Sequence, residues 1–218
     1  MATNEKAGRL HINVGAGSEA LPGYVNLDNS PFLVLATIGP VIKFILGPEK
    51  LQMVQQAQRA LASGNMVRHD CRKKLPFPDK SVEHVLCSHF LEHVWLGEIP
   101  QILTEFYRVL KLGGTVHLIV PDLERAVEDY YKNRSTQTAD KLVKWTLMST
   151  PSKPSLRYRL MEFFGFEGLK HRWMYDRQSL ADKVLTAGFL ICDDTDIPSA
   201  FYRKDCNESL HVFAVKKV

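Results

Sequence analysis

The sequence predicts an α/β fold in which a mostly parallel sheet is covered by helices on both faces. Short apolar runs bounded by Gly and Pro alternate with longer stretches of helical periodicity from residue 10 to the end. The Gly15 turn and the polar residues Asp28, Asp70, His89 and Asp122 each follow one of the apolar runs. Ligands of such sheets sit beyond the carboxyl ends of the strands, so this shared placement points to one cleft. At 218 residues the chain is long enough to bury a sizeable core as a single domain, residues 1–218.

Residues 10–15 and 24–27 read as the first two buried strands. Leu51, Val54, Ala57, Leu61 and Ala62 recur at helical spacing over 48–64, where "SGN" stops the pattern. "MVRHD" is a brief strand, "LPFPDKS" a loop with two prolines, and "VEHVLCSHF" the next strand. Ile99, Ile102, Leu103, Phe106, Val109 and Leu110 line one face of a helix over 97–111, which "KLGG" is expected to end through glycine. "TVHLIVPD" is a strand closing on Asp122. Residues 123–170 read as a helical, basic-aromatic insertion broken by "STPSKPS". "DRQSLADKVLTAGF" is a helix capped by Asp176 and ended by Gly188, and "FLICDDTDI" and "LHVFAVKKV" supply two closing strands.

The segment "LHINVGAGSEALPGYVNLD" decides which nucleotide the cleft suits. Its Gly15-x-Gly17-x-x-Ala20 spacing fits the dinucleotide fingerprint. A dinucleotide, however, needs a helix N-terminus aimed at its pyrophosphate and an acidic residue about 20 positions on. Asp28 follows Gly15 by only thirteen positions, and Leu21-Pro22-Gly23 leaves no room for that helix. S-adenosylmethionine has a ribose and an amino acid but no phosphate, and so needs no such helix. An NAD-dependent enzyme is the weaker alternative.

"HDCRKKLPFPDKSVEHVLCSHFLEHV" followed by "EFYRVLKLGGTVHLIVPD" resembles the class I S-adenosylmethionine-dependent methyltransferases. The chain is most similar to a small bacterial-type group in which a shortened first helix runs into a "G-Y/W-x-N-x-D" strand; "HRWMYDRQSLADKVLTAGF" and "SLHVFAVKK" extend the likeness to the C-terminus. The resemblance implies a Rossmann-like, seven-stranded sheet with an antiparallel last strand, and S-adenosylmethionine as cofactor. It places Gly15 and Gly17 under the methionine portion, Asp28 on the ribose, Asp70 and the Cys71 backbone at the adenine, and His89 near the methionine end. Asn13 stands where an acidic residue is common, which alters the expected grip on the methionine amino group.

Transfer of a methyl from sulfur to an alcohol is an in-line displacement that also needs a base for the hydroxyl proton. His89, His93, Asp122 and His171 are the catalytic candidates. Glu92 and His93 read equally as functional groups or as helix-capping, hydrogen-bonded interior groups, Asp122 equally as the N-cap of "LERAVEDYY", and Tyr175 as a wall of the acceptor site or an anchor of the final helix. His89-x-x-Glu92 falls short of H-E-x-x-H, and no metal site is expected. The expected activity is O-methylation of a small or saccharide-like acceptor. The alternatives are transfer to nitrogen or a protein side chain, or a non-catalytic cofactor-binding interaction protein.

A net charge of +4 lacks the concentrated basic footprint of a nucleic-acid binder. Arg134, Lys141, Lys144, Lys153, Arg157, Arg159 and Lys170 nonetheless suit an anionic acceptor, although a solvated basic face explains them as well. Cys71, Cys87, Cys192 and Cys206 show no paired spacing, as in a reducing compartment, and "MATNEKAGR" has no signal-peptide core, so a cytoplasmic protein is expected. "PFLVLATIGPVIKFIL" at 31–46 is too short to span a bilayer and contains Gly39-Pro40 and Lys43. It fits two short buried helical pieces, an apolar cap over a pocket or a homo-oligomer interface, or peripheral membrane contact.

Overall fold

The computed structural model describes residues 9–17, 20–37, 48–133, 138–146, 170–192 and 209–217. Seven strands form one sheet: β1 (His11–Val14), β2 (Val25–Asp28), β3 (Met66–Arg68), β4 (Val82–Ser88), β5 (Leu110–Pro121), β6 (Phe189–Cys192) and β7 (Ser209–Lys216). Their order across the sheet is β3-β2-β1-β4-β5-β7-β6. Ile12 pairs with Val25 on one side and Val85 on the other, both in parallel, and only β7 runs antiparallel to its neighbours. The chain reverses its direction of travel across the sheet between β1 and β4, which opens a cleft at their carboxyl ends.

The helices are α1 (Pro31–Leu35), α2 (Pro48–Ala62), α3 (Ile99–Val109), α4 (Leu123–Lys132), α5 (Thr138–Trp145) and α6 (Arg177–Thr186). α3 buries the apolar stripe anticipated from its spacing, Ile99, Ile102, Leu103, Phe106 and Val109, in the same core as Val85, Val116 and Leu118. Each such side chain contributes about 1.5–3 kcal/mol of burial. α6 adds Leu180 and Val184 and has the expected ends: the Asp176 carboxylate accepts from Ser179 N at 2.7 Å, and Gly188 follows with φ +97°. A smaller cluster joins Leu33 of α1 to Ala57 and Ala60 of α2 and to Met66.

Alternation along the strands gives the sheet two unlike faces. Ile12, Val14, Val85, Cys87, Val116 and Leu118 lie in the main core. The intervening positions carry polar residues that are nonetheless buried: Asn13, Asn26, His84, His117 and His211. His117 Nε2 and His211 Nδ1 are 3.0 Å apart, and the His117 ring stacks on Phe213. His84 lies against His11 and Tyr24, and burial pushes its imidazole down to about 3.

"KLGG" does not end a helix. α3 stops at Val109 because Leu110 is already extended and paired with Val82. The next pair is His84 with Thr115, so 111–114 bulge out of β5, and Gly113 takes φ +73° there. The insertion at 123–170 supplies α4 and α5, while "STPSKPS", Arg134, Lys153, Arg157 and Arg159 lie outside the described residues, as do 38–46 of the apolar segment. No helix among the described residues is long and apolar enough to cross a membrane.

Candidate cofactor and acceptor site

The described part of the loop after β1 contains no helix, as Pro22-Gly23 requires; residues 20 and 21 are irregular and 22–24 are turn and bend. Asn26 does the holding from inside β2. Its Oδ1 accepts from Leu21 N at 2.9 Å and from Asn13 Nδ2 at 2.9 Å. Its Nδ2 donates to the carbonyls of Leu21 and Tyr24, each at 3.1 Å. Asn65 Nδ2 donates to the Leu21 carbonyl as well, at 3.2 Å. Asn13 is therefore a member of this buried network, with its amide donating across the strands. Sequence reasoning passed over Asn26, although an asparagine within the apolar run "VNLD" was the available signal.

Gly15 and Gly17 both adopt left-handed backbone, φ +72° and +62°. The amides of Gly15 and Ala16 converge on the Leu27 carbonyl at 2.9 and 3.1 Å. A Cβ at Gly15 would stand 2.5 Å from Phe90 Cβ, so this glycine lets the loops after β1 and β4 touch. A Cβ at Gly17 would meet nothing within 4 Å among the described residues. The Asp28 carboxylate accepts from Gly17 N at 2.9 Å and from Ser30 N at 2.5 Å. Burial raises its pKa, and those two amides oppose the rise.

Asp70 and Cys71 follow β3. Arg72 donates to both oxygens of Asp70, Nε at 2.9 Å and a terminal nitrogen at 3.0 Å, and holds its carboxyl below the usual range. The Cys71 thiol points at the Leu27 and His69 carbonyls, and burial pushes its pKa to about 12, which makes it structural rather than reactive.

The other wall begins where β4 ends. His89 has φ +52°, a costly conformation for a non-glycine residue, and its amide is fixed by the Ile119 carbonyl at 2.9 Å. His89 Nδ1 lies 3.1 Å from Oε1 of Glu92, which is fully buried, and His89 Nε2 lies 3.2 Å from Ser209 Oγ at the start of β7. Residues 91–93 form a 3-10 turn rather than the first turn of an α-helix. A strap from residue 170 to 175 crosses this turn. The Arg172 and Trp173 amides donate to the Glu92 carbonyl at 2.6 and 3.3 Å, Arg172 Nε donates to the His93 carbonyl at 3.0 Å, and Arg172 stacks over Trp95. Tyr175 is fully buried and donates to the Leu91 carbonyl at 3.4 Å, so it anchors the strap.

The strap brings His171 beside residues that are distant in sequence. Its Nε2 lies 4.0 Å from Glu92 Oε1, and its ring meets that of His93 edge-on at 5.0 Å. Burial lowers the pKa of His171 and Glu92 partly offsets this, which favours a neutral ring. His89, His93 and His171 thus gather around Glu92. Asp122 instead caps α4, with Oδ1 accepting from Arg125 N at 3.2 Å, and bridges to Tyr175.

Comparison with known proteins matches this architecture. Residues 34–118 match the family model of a methyltransferase domain. A Pyrococcus horikoshii protein of 14% identity superposes with a TM-score of 0.54 over 98% of this chain and 84% of its own. A chain of the complex between the Haloferax volcanii Trm112 methyltransferase activator and a putative methyltransferase gives 0.51 at 17% identity, over 97% and 83%. An S-adenosylmethionine-dependent methyltransferase from Mesorhizobium loti gives 0.50 at 16% identity, over 96% and 91%. At these identities the likeness is one of fold. A search of curated protein sequences finds no match. The family match and the fold bear out the resemblance to class I S-adenosylmethionine-dependent methyltransferases and, with it, the cofactor class.

Proposed function

We propose that this chain transfers the methyl group of S-adenosylmethionine to a hydroxyl oxygen of a small, saccharide-like acceptor. The observation that carries the oxygen assignment is the His89–Glu92 pair at the end of β4, 3.1 Å apart, with Glu92 fully buried. A carboxylate accepts the Nδ1 proton and fixes the imidazole tautomer, which leaves Nε2 as the proton acceptor. Ser209 Oγ, 3.2 Å from that nitrogen, can donate to it until an acceptor hydroxyl takes its place.

The residues of the first wall fit the cofactor. The Asp28 oxygens each take one backbone amide and keep a lone pair for a ribose hydroxyl. The open space over Gly17 lets a ligand approach the backbone. Phe90, pressed on Gly15, sets His89 next to the methionine end of that wall. S-adenosylmethionine supplies an electrophilic methyl whose bond to sulfur breaks, its pair staying on sulfur, as the acceptor oxygen forms the new bond. His89 takes the hydroxyl proton and releases it to solvent. The buried Glu92 and the strap close the inner side of that pair to water, while the exposed edge of His89 passes the proton out.

Calorimetry with S-adenosylmethionine tests the cofactor half. Binding is expected in the micromolar range, weakened at least about tenfold by Asp28→Ala, the loss of a charge-assisted pair; absence of binding at millimolar ligand overturns the reading. For the acceptor half, the chain is incubated with methyl-labelled cofactor and a polyhydroxylated acceptor pool. Label in an alkali-stable ether is expected, whereas label on nitrogen or protein overturns the oxygen assignment.

A further inference from the structure

We propose that Glu92, His93 and His171 form a binding site for a divalent first-row transition-metal ion, which holds oxygens of the methyl acceptor beside His89. Among the described residues, one donor atom from each of the three lies within 4.8 Å of the others. Glu92 is fully buried, and its Oε2 finds no hydrogen-bond donor among the described residues. A buried carboxylate oxygen left bare loses its hydration without compensation, and a cation between the three side chains removes that penalty.

The second line of argument is tautomeric. His93 Nδ1 lies 3.0 Å from the Lys170 carbonyl, which can only accept, so Nδ1 carries the proton and Nε2 presents a lone pair. Metal-bound histidines are oriented in this way, through the ring nitrogen that does not bind the ion. The arrangement is also tied down from behind: the Arg172 amide and Arg172 Nε hold the carbonyls of Glu92 and His93. His89, on Glu92 Oε1 at 3.1 Å, is an outer partner that orients the carboxylate.

The donor set selects the ion. Two imidazoles and one carboxylate suit Zn²⁺, Mn²⁺, Co²⁺ or Ni²⁺, whereas Mg²⁺ and Ca²⁺ prefer oxygen. Bonds of about 2.1 Å set donors around a tetrahedral ion roughly 3.4 Å apart, so small side-chain rotations close the cluster. Three protein ligands leave coordination positions open. Neighbouring hydroxyls of an acceptor can fill them, which lowers the pKa of the one to be methylated and fixes it in line. Local spacing gave no sign of such a site because its third ligand comes from the strap. The role in acceptor binding rests on the methyl-transfer reading; binding of the ion does not.

The experiment titrates Co²⁺ into the chelator-treated full chain and follows the visible d–d absorption. One equivalent is expected to bind at micromolar concentration, and Zn²⁺ is expected to displace it. His93→Gln and Glu92→Gln should each weaken binding by about 100-fold, and His89→Gln by about tenfold or less, with thermal unfolding of each variant followed alongside. Glu92→Gln is the variant most exposed to misfolding, and His93→Gln carries the test if it does not fold. Failure to bind Co²⁺ at about 100 µM, or binding unaltered by His93→Gln, overturns the proposal. Calorimetry with S-adenosylmethionine on the same samples separates the two readings. Cofactor binding without Co²⁺ binding sinks the metal site alone, and the reverse result leaves it standing while sinking methyl transfer.

Discussion

The two walls of the cleft, one proposed to hold the cofactor and the other the acceptor, are built in different ways. The cofactor wall is local. Gly17 is held by Asp28, Leu21 by Asn26, and Asp70 by Arg72, each by a partner within a dozen residues of it, with Asn65 on Leu21 as a longer tie. The acceptor wall is assembled from afar: His171 reaches Glu92 and His93 only because the strap from 170 to 175 is laced onto residues 91–95. Main-chain amides and short carboxylates are enough to shape a slot for a fixed ligand. A wall that must recognise a variable acceptor is free to take its side chains from an insertion, and the loops that carry function are the ones most easily exchanged.

Gly15→Ala is the change expected to damage both walls at once. It adds the cost of left-handed backbone, about 1–2 kcal/mol, to a methyl 2.5 Å from Phe90 Cβ. Because Phe90 Cβ is fixed to the main chain beside His89, relief requires backbone movement, a further 1–3 kcal/mol or so. Thermal unfolding should fall by roughly 10 °C, with S-adenosylmethionine and Co²⁺ binding weakened together. Loss of cofactor affinity alone would break the view that Gly15 is where the walls join.

The same contrast explains what could be read from sequence. The positions of the strands, the α3 stripe and the ends of α6 follow from periodicity and capping, and the Gly-rich turn betrayed its missing helix through Pro22-Gly23. "KLGG" was misleading because glycine serves a bulge as readily as a helix end, and only the pairing of Leu110 with Val82 distinguishes them. Gly15, Gly17, Asp28 and Asp70, proposed for the cofactor wall, stood out because each lies at or just beyond the end of a strand, whereas Asn26 lies inside one. Glu92 was visible as a residue but ambiguous in role, since its partners His89, His93 and His171 are set by a positive φ, a 3-10 turn and a distant strap. Asp122 had two readings of equal standing, and the geometry shows the capping one.

Asn26→Ala separates the walls. It strips the acceptor from Leu21 N–H and Asn13 Nδ2 while leaving the strap untouched. Two buried donors lose their partner at about 1–3 kcal/mol each, partly recovered by water, so a loss of about 3 kcal/mol is expected in urea unfolding. The loop before β2 should loosen, S-adenosylmethionine affinity should fall about tenfold or more, and Co²⁺ affinity should hold in the folded fraction. Equal losses of both ligands would mean that the cofactor loop also supports the acceptor wall.

Gly17→Ala is the mildest change and the sharpest probe of the cofactor wall. Its Cβ meets nothing within 4 Å among the described residues, so the only structural penalty is that of φ +62°, about 1 kcal/mol. The amide that holds Asp28 is retained, and with it the carboxylate's position. If the space over Gly17 belongs to the ligand, the added methyl must displace it, and affinity for S-adenosylmethionine should drop by more than the roughly fivefold that 1 kcal/mol represents. A stability loss near 1 kcal/mol with unchanged affinity would show instead that this glycine serves the turn alone. The ligand would then approach the wall from the Asp28 side.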